Sequence, residues 1–174
     1  MTRDPQALFQ EVQYFREQRL MLLALPAGLF LIVFFGWAMI RQLIVGEPFG
    51  NQPMGDRSLA VFGMLYILLG ALLVWLYFVG KLITEVRPQG LFVRFHPIHR
   101  RERHIRFGDI DKCEALTYRP IRDFGGWGIR AGRLGRAYNV SGNRGAYLTM
   151  KNGRRLLIGS QRTDTLVEAI RSLM

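Results

Sequence analysis

"RPIRDFGGWGIRAGRLGRAYNVSGNRGAY", residues 119–147, contains seven glycines and six arginines in 29 positions. Glycine-rich loops cradle phosphates when bare backbone N–H groups face the anion and a helix begins directly behind them. No helical pattern begins until after Ser160, and the triplet Gly126, Gly128 and Gly132 misses the dinucleotide-binding spacing by one residue. The stretch therefore predicts turns between short strands and argues against a nucleotide site.

The sequence on both sides of this stretch also favours β structure. Every second residue is apolar in Leu91–Phe95 and again in Ala146–Met150, a pattern typical of half-buried strands. The pair Asn152-Gly153 between two such runs is a strong hairpin signal. The apolar spacing in Leu166–Leu173 changes to that of a helix. Residues 81–174 are therefore expected to form an antiparallel β-sandwich or barrel closed by one C-terminal helix.

Two uncharged apolar runs precede this region. Leu20–Ile40 contains 21 residues and Ser58–Gly80 contains 23, and about 20 apolar residues suffice for a helix to cross a hydrocarbon core. Small residues in both runs would let the two helices approach closely. We predict two transmembrane helices, over residues 20–40 and 58–80, joined by a short external loop over residues 41–57.

The basic residues predict the orientation of these helices. Three arginines, Arg3, Arg16 and Arg19, precede the first span, whereas the loop between the spans has only Arg41 and Arg57. The region after the second span has 19 basic and eight acidic residues, which accounts for the whole net charge of +11. Because cytoplasmic segments carry the excess of Lys and Arg, both termini are expected in the cytoplasm.

The segment before the first span has helical spacing. Asp4 and Pro5 suit the N-cap and first position of a helix, and Leu8, Val12 and Phe15 then share one face. This predicts a short interfacial helix. The chain is thus expected to have three parts: a cytoplasmic interfacial helix at residues 1–19, a transmembrane hairpin at 20–80 and a cytoplasmic domain at 81–174.

Residues with catalytic or metal-binding potential are sparse. His96, His99, His104 and Cys113 are zinc-ligand types, but their spacing matches no established zinc site. No serine has a histidine and a carboxylate at a recognisable motif distance. The single cysteine allows no internal disulfide. We therefore expect no enzymatic activity, no metal site and no cofactor.

Arginine supplies 16 of the 19 cations in residues 81–174, and its planar fork suits phosphate and carboxylate. Arg and Trp are enriched at interaction hot spots, and each cation near an anionic membrane surface is worth about 1 kcal/mol. The candidate recognition surface consists of Trp127, Arg119, Arg122, Arg130, Arg133 and Arg136. The candidate membrane-surface contact consists of Arg100, Arg101, Arg103, Arg154 and Arg155. A core position for Trp127 is an open alternative, because its same-face strand neighbours are apolar.

The order of the segments resembles a known group of proteins. Two spans followed by "HIRFGDIDKCEAL" (104–116) and "GRRLLIGSQRTDTLVEAI" (153–170) resemble the bacterial pleckstrin-homology-like membrane proteins. The phrases "YRPIRDFGGWGIR" (118–130) and "GRAYNVSGNRGAYL" (135–148) resemble a branch with two N-terminal transmembrane helices and no defined catalytic residues. The resemblance implies a seven-stranded bent sandwich closed by a C-terminal helix, in a protein of a bacterial inner membrane.

Three functions fit these observations. The first is a membrane-anchored, non-enzymatic interaction or scaffold module with an unknown protein partner. The second is a sensor of an anionic lipid headgroup or a phosphate ligand. A role as an assembly factor for a membrane complex is the third, by analogy with the layout of photosystem I assembly proteins. Nucleic-acid binding is not expected, because tethering to a membrane suits it poorly.

Overall fold

The computed structural model describes residues 7–18 and 22–174 and divides into two compact units. One unit is a helix pair within residues 19–78. The other is a β domain made of residues 79–174 together with the segment that ends at Gln18. Asp4 and Pro5, where the sequence predicts a helix to begin, lie outside the described residues, as does the predicted start of the first span.

The helix pair consists of α1 (Ala24–Met39), which continues as a π-helical segment (Ile40–Val45), and α2 (Asp56–Val79). Both helices are long and apolar enough to cross a membrane. The connection between them is shorter than the predicted loop of residues 41–57, because the helix runs on to Val45. It ends there because Gly46 takes a left-handed conformation with φ of 82°.

The two helices meet at small residues, as the sequence predicts. A Cβ atom on Gly28 of α1 would lie 2.8 Å from the carbonyl oxygen of Gly70 in α2, and one on Gly70 would lie 2.6 Å from the oxygen of Gly28. Real Cβ atoms essentially never come this close to another atom. The close approach of the two backbones therefore depends on glycine at both positions.

The β domain contains two sheets and two helices within the described residues. The strands are β1 (Phe9–Tyr14), β2 (Lys81–Arg87), β3 (Gly90–His96), β4 (Arg103–Ile105), β5 (Ile110–Thr117), β6 (Gly128–Gly132), β7 (Gly135–Asn139), β8 (Arg144–Met150) and β9 (Arg155–Gly159). The helices are α3 (Pro120–Phe124) and α4 (Thr163–Arg171). The first sheet has the order β1-β2-β3-β4 and the second has the order β5-β8-β9-β7-β6. The two sheets do not close into a barrel.

One core joins both sheets to the C-terminal helix. Leu82 from the first sheet, Leu148 and Ile158 from the second, and Leu166 and Ile170 from α4 are all fully buried in it. The predicted covering helix is therefore confirmed, since α4 places its apolar stripe against the sheets.

The expected N-terminal helix is wrong over its described part. Phe9–Tyr14 form strand β1, which pairs antiparallel with β2 from Phe9 opposite Val86 to Tyr14 opposite Lys81. Burial along β1 alternates with period two, so the segment satisfies a strand pattern as well as a helical one. The strand with which β1 pairs, β2, follows the helix pair in the sequence. The β domain therefore includes the segment before the helix pair in addition to residues 81–174.

A buried polar network fastens β1 to the second sheet. The Glu11 carboxylate accepts hydrogen bonds from the Ser160 hydroxyl and from the Gln161 backbone N–H at 2.8 Å. The side-chain amide of Gln13 donates to the Gly159 carbonyl oxygen at 2.8 Å. Because both side chains are buried, these bonds hold β1 in one register.

The prediction that all strands pair antiparallel is also wrong at one point. β7 pairs in parallel with β9, with Ala137 opposite Leu157, and does not pair with β8. The cause is that β8 already has β5 on one edge and β9 on the other. The nine described strands also exceed the seven that the family resemblance implies.

Candidate functional site: an arginine-lined cleft

A cleft of about 820 Å³ lies at one side of the β domain. Its walls come from β4 at the edge of the first sheet, from the β6–β7 hairpin and from the start of β9 in the second sheet. Four arginines line it: Arg103, Arg136, Arg154 and Arg155. We call this cavity the arginine cleft.

A tight turn brings Arg136 into the cleft. β6 and β7 are joined by a two-residue turn that is flanked by Gly132 and Gly135. Gly135 has a φ of 102°, and a Cβ atom there would lie 2.4 Å from the Arg155 carbonyl oxygen. Glycine therefore lets β7 approach β9 closely enough for Arg136 to sit opposite Leu156 in the parallel pair.

A second turn brings in the arginines of β9. Gly153 has a φ of 79°, and the side chain of Asn152 accepts a hydrogen bond from the Arg154 backbone N–H at 3.1 Å. This is the hairpin turn that Asn152-Gly153 predicts. The turn reverses the chain, so that Arg154 lies directly before β9 and Arg155 is its first residue. Arg103 lies on β4, where it pairs with Val93 of β3.

Within the described part of the chain, no carboxylate compensates the positive charge of the cleft. The four cleft arginines make no salt bridge within 4.0 Å to any carboxylate in residues 7–18 and 22–174, and no acidic residue lines the cavity. The neighbouring acid Glu102 lies 3.4 Å from Arg87 instead. A concave surface lined by one sign of charge concentrates the field and attracts counter-ions.

The floor of the cleft carries a tyrosine. Tyr138 is 1% exposed, and its ring centre lies 5.7 Å from the Arg103 guanidinium carbon and 5.5 Å from the centre of the His99 ring. The Tyr138 hydroxyl has no hydrogen-bond partner in the part of the chain that the structure describes. A buried hydroxyl left in this state costs about 1–3 kcal/mol.

The field of the arginines reaches His99 beneath the cleft. Burial, followed by the charges of Arg103 and Arg136, lowers the pKa of His99 below its ordinary value. Its Nδ1 atom accepts a hydrogen bond from the Phe95 backbone N–H at 3.3 Å, which requires that nitrogen to be unprotonated. The imidazole is therefore held in its neutral form.

The residues of the predicted recognition surface do not share one cavity. Arg136 lines the cleft, whereas Arg122 and Arg133 line a separate hollow beside Asp123. The Arg130 side chain bonds back to the carbonyl oxygen of Trp127 at 2.9 Å. Arg119 is exposed, and its backbone N–H donates to the Asp123 carboxylate at 2.8 Å. That hydrogen bond, opposed in part by burial and assisted by nearby arginines, lowers the pKa of Asp123.

Trp127 lies directly before β6 and is half-buried. Its indole N–H donates to the Gly142 carbonyl oxygen at 3.1 Å. Among the described residues, the buried apolar side chains of the β domain form a main core and a smaller cluster around Tyr118 and Phe124, and Trp127 belongs to neither. Its part in recognition stays a prediction.

The predicted membrane-surface group also divides. Arg103, Arg154 and Arg155 line the cleft, while Arg100 and Arg101 are exposed between β3 and β4. The cleft thus unites one member of the first predicted group with three of the second. Sequence reasoning missed Tyr138 and the wall residues Ile105 and Leu156. The parallel pairing of β7 with β9 brings Tyr138 and Leu156 to the cleft, and Ile105 comes from β4 of the other sheet.

The zinc-ligand types lie in separate surroundings. The His104 ring stacks on Phe92 at 4.6 Å between centres. Burial raises the pKa of the Cys113 thiol to about 11, so it is not a ready thiolate at neutral pH. Among the described residues, no three His, Cys, Asp or Glu side chains are grouped as a metal site would need.

Comparison with known proteins gives a family and no functional assignment. No curated protein and no solved structure matches this chain. One family model matches residues 1–174, and its description is "Family of unknown function (DUF6141)". The match covers the helix pair and the β domain together, so the chain belongs to the DUF6141 family.

Proposed function

We propose that this chain is a membrane-anchored, non-enzymatic interaction module that recognises an anionic partner through the arginine cleft. The observation that carries the proposal is the cleft itself. Four guanidinium groups from two sheets line one cavity and have no ion-pair partner among the described residues. An anion bound there would relieve their mutual repulsion, which gives the binding a physical cause.

The helix pair and β1 support the anchoring part of the proposal. β1 precedes α1 in the chain and β2 follows α2, yet the two strands pair with each other. Two spans would return the chain to the side from which it left, so that this pairing can form. The excess of arginine after the second span favours the cytoplasmic face of a bacterial inner membrane.

The composition of the cleft supports a binding role over catalysis. Its described lining combines arginines with His104, Tyr138 and apolar residues, and it holds no carboxylate, cysteine or serine. A nucleophile with an adjacent base is the usual minimum for group-transfer chemistry. The same lining suits electrostatic recognition.

We also propose that the β domain is pleckstrin-homology-like. Two packed sheets closed by a C-terminal helix support this relation. Strand β1 and the parallel β7–β9 pair depart from the implied seven-stranded pattern. An experimental structure with a significant match to such a domain would test the relation.

Photo-cross-linking tests the proposed function in native membranes. A photoreactive amino acid at Ala131, an exposed residue that lines the cleft, should form adducts with the anionic partner. The adducts should disappear when Arg136→Gln and Arg155→Gln are added. The control position is Ile121, which is 69% exposed and outside the lining. Adducts at Ala131 that survive the arginine changes would contradict the proposal.

A further inference from the structure

We infer that the arginine cleft is a site for a phosphate ester, which binds through its terminal phosphate oxygens while an organic part of the same molecule rests on the apolar walls. This inference rests on the proposed function and names the chemistry of its ligand.

The number of donors in the cleft favours phosphate over carboxylate. Each guanidinium presents a planar fork of N–H donors, and a carboxylate has only two oxygens to receive them. A phosphomonoester has three terminal oxygens and a charge near −2 at neutral pH. Four unpaired arginines on three strands and one turn can therefore be used by one phosphate, whereas one carboxylate would leave most of the donors idle.

The Tyr138 ring gives the cleft a rigid wall beside one of its arginines. Tyr138 is 1% exposed, and the Arg103 guanidinium carbon lies 5.7 Å from the centre of its ring. This contact holds Arg103 at the cleft before any anion binds, which lowers the cost of ordering the side chain on binding.

The size and walls of the cleft indicate more than a bare anion. Ligand-binding cavities commonly have volumes of about 300–1,000 Å³, and 820 Å³ falls within that range. Ile105, Ala131 and Leu156 contribute apolar surface beside the arginines. An organic phosphate can bury its carbon skeleton there, whereas inorganic phosphate leaves this surface in water.

A phosphate ester could reach the cleft from two sources: the headgroup of a membrane lipid or a soluble metabolite. The test uses the full chain in phosphatidylcholine nanodiscs, because β1 makes the β domain dependent on the segment before the helices. Calorimetric titration with glycerol 3-phosphate examines the soluble source. Hydrogen exchange of β4 and of the β6–β7 hairpin, with and without phosphatidic acid in the disc, examines the lipid source.

The variants distinguish binding by the cleft arginines from non-specific attraction to the basic surface of the domain. The double change Arg136→Gln and Arg155→Gln should weaken binding at least tenfold, because each charged hydrogen bond contributes about 1.5–3 kcal/mol. Arg130→Gln is the matched control for the single change Arg136→Gln: it removes one positive charge outside the lining and should leave affinity within about twofold.

Folding does not confound these variants. The cleft arginines of the double variant are exposed and have no partner in the described residues, so their loss should leave exchange of the interior strand β8 unchanged. Exchange of β8 is measured in every sample. If the double variant loses this protection, Arg136→Lys replaces it, because lysine keeps the charge but not the planar fork.

Each outcome decides the inference. Binding of glycerol 3-phosphate that depends on Arg136 supports it with a soluble source, and protection by phosphatidic acid that depends on Arg136 supports it with a lipid source. If an oligoglutamate peptide binds in an arginine-dependent way and neither phosphate probe does, the phosphate inference is overturned while the proposed function stands. If none of the three probes binds, the phosphate inference is overturned, and the cross-linking experiment at Ala131 decides the proposed function.

Discussion

Replacement of Phe9 by alanine should destabilise the β domain, although Phe9 precedes the helix pair by more than a dozen residues. Phe9 is 3% exposed within the main core, and the Arg162 guanidinium lies 4.7 Å from its ring centre. Large-to-small changes of a buried phenylalanine cost about 3–5 kcal/mol, and an edge strand can relax around the cavity, so we expect about 3 kcal/mol. Because each 1.4 kcal/mol changes an equilibrium constant tenfold, the equilibrium constant for global unfolding should increase about 150-fold.

Hydrogen exchange of the full chain in neutral nanodiscs measures this effect at β2 and β8. The matched control is Leu8→Ala, since the Leu8 side chain is 57% exposed although its backbone N–H bonds to Val86. That change should alter opening by no more than about twofold. If the segment were an interfacial helix, Leu8→Ala would have the larger effect on opening, because Leu8 would lie on the apolar face of the helix and Phe9 would not. Equal effects of the two changes, or a larger effect at Leu8, would refute the assignment of β1.

Four further predictions concern the fold and its charge. Location reporters fused after Glu47 and after Met174 should report the periplasm and the cytoplasm, respectively, and a cytoplasmic signal at Glu47 would overturn the topology. Ile170→Asp should abolish the cooperative thermal unfolding of the β domain, because it places a charge at a fully buried position. If circular dichroism shows an unchanged melting curve, α4 does not cover the sheets. Burial and nearby arginines keep the pKa of His99 low, so protonation favours the unfolded chain and stability should fall as pH drops below about 6.5. Arg136→Gln should raise the pKa of His99 in NMR titration, and no rise would mean that this arginine's field does not reach the imidazole.

The elements that the sequence predicts correctly are those with local causes. The hairpin turn at Asn152-Gly153 follows from the left-handed conformation that glycine accepts there. The helix α4 follows from the spacing of Leu166 and Ile170, and the helix pair follows from two long apolar runs. Each of these signals lies within one segment, so no distant partner is needed to interpret it.

The errors have distant causes. Residues 9–14 carry a pattern compatible with a helix and with a strand, and β2, about seventy residues away, decides between them through backbone hydrogen bonds. In the same way, the edge to which β7 pairs depends on which edges β5 and β9 have already occupied. Neither the conformation of residues 9–14 nor the pairing of β7 can therefore be predicted from a short segment of sequence.

The candidate site shows the same division. The sequence by itself determined that residues 81–174 carry an excess of arginine over the acids available to pair with it, because charge is a property of composition. Only the tertiary structure decided which arginines meet. Arg103 and Arg136 lie on different sheets and share a cavity, whereas Arg130, nearer to Arg136 in sequence, bonds to its own turn. Strand pairing brings residues that are distant along the chain close together in space. The cleft exists because the sheet that contains β4 and the sheet that contains β7 and β9 pack on one shared core.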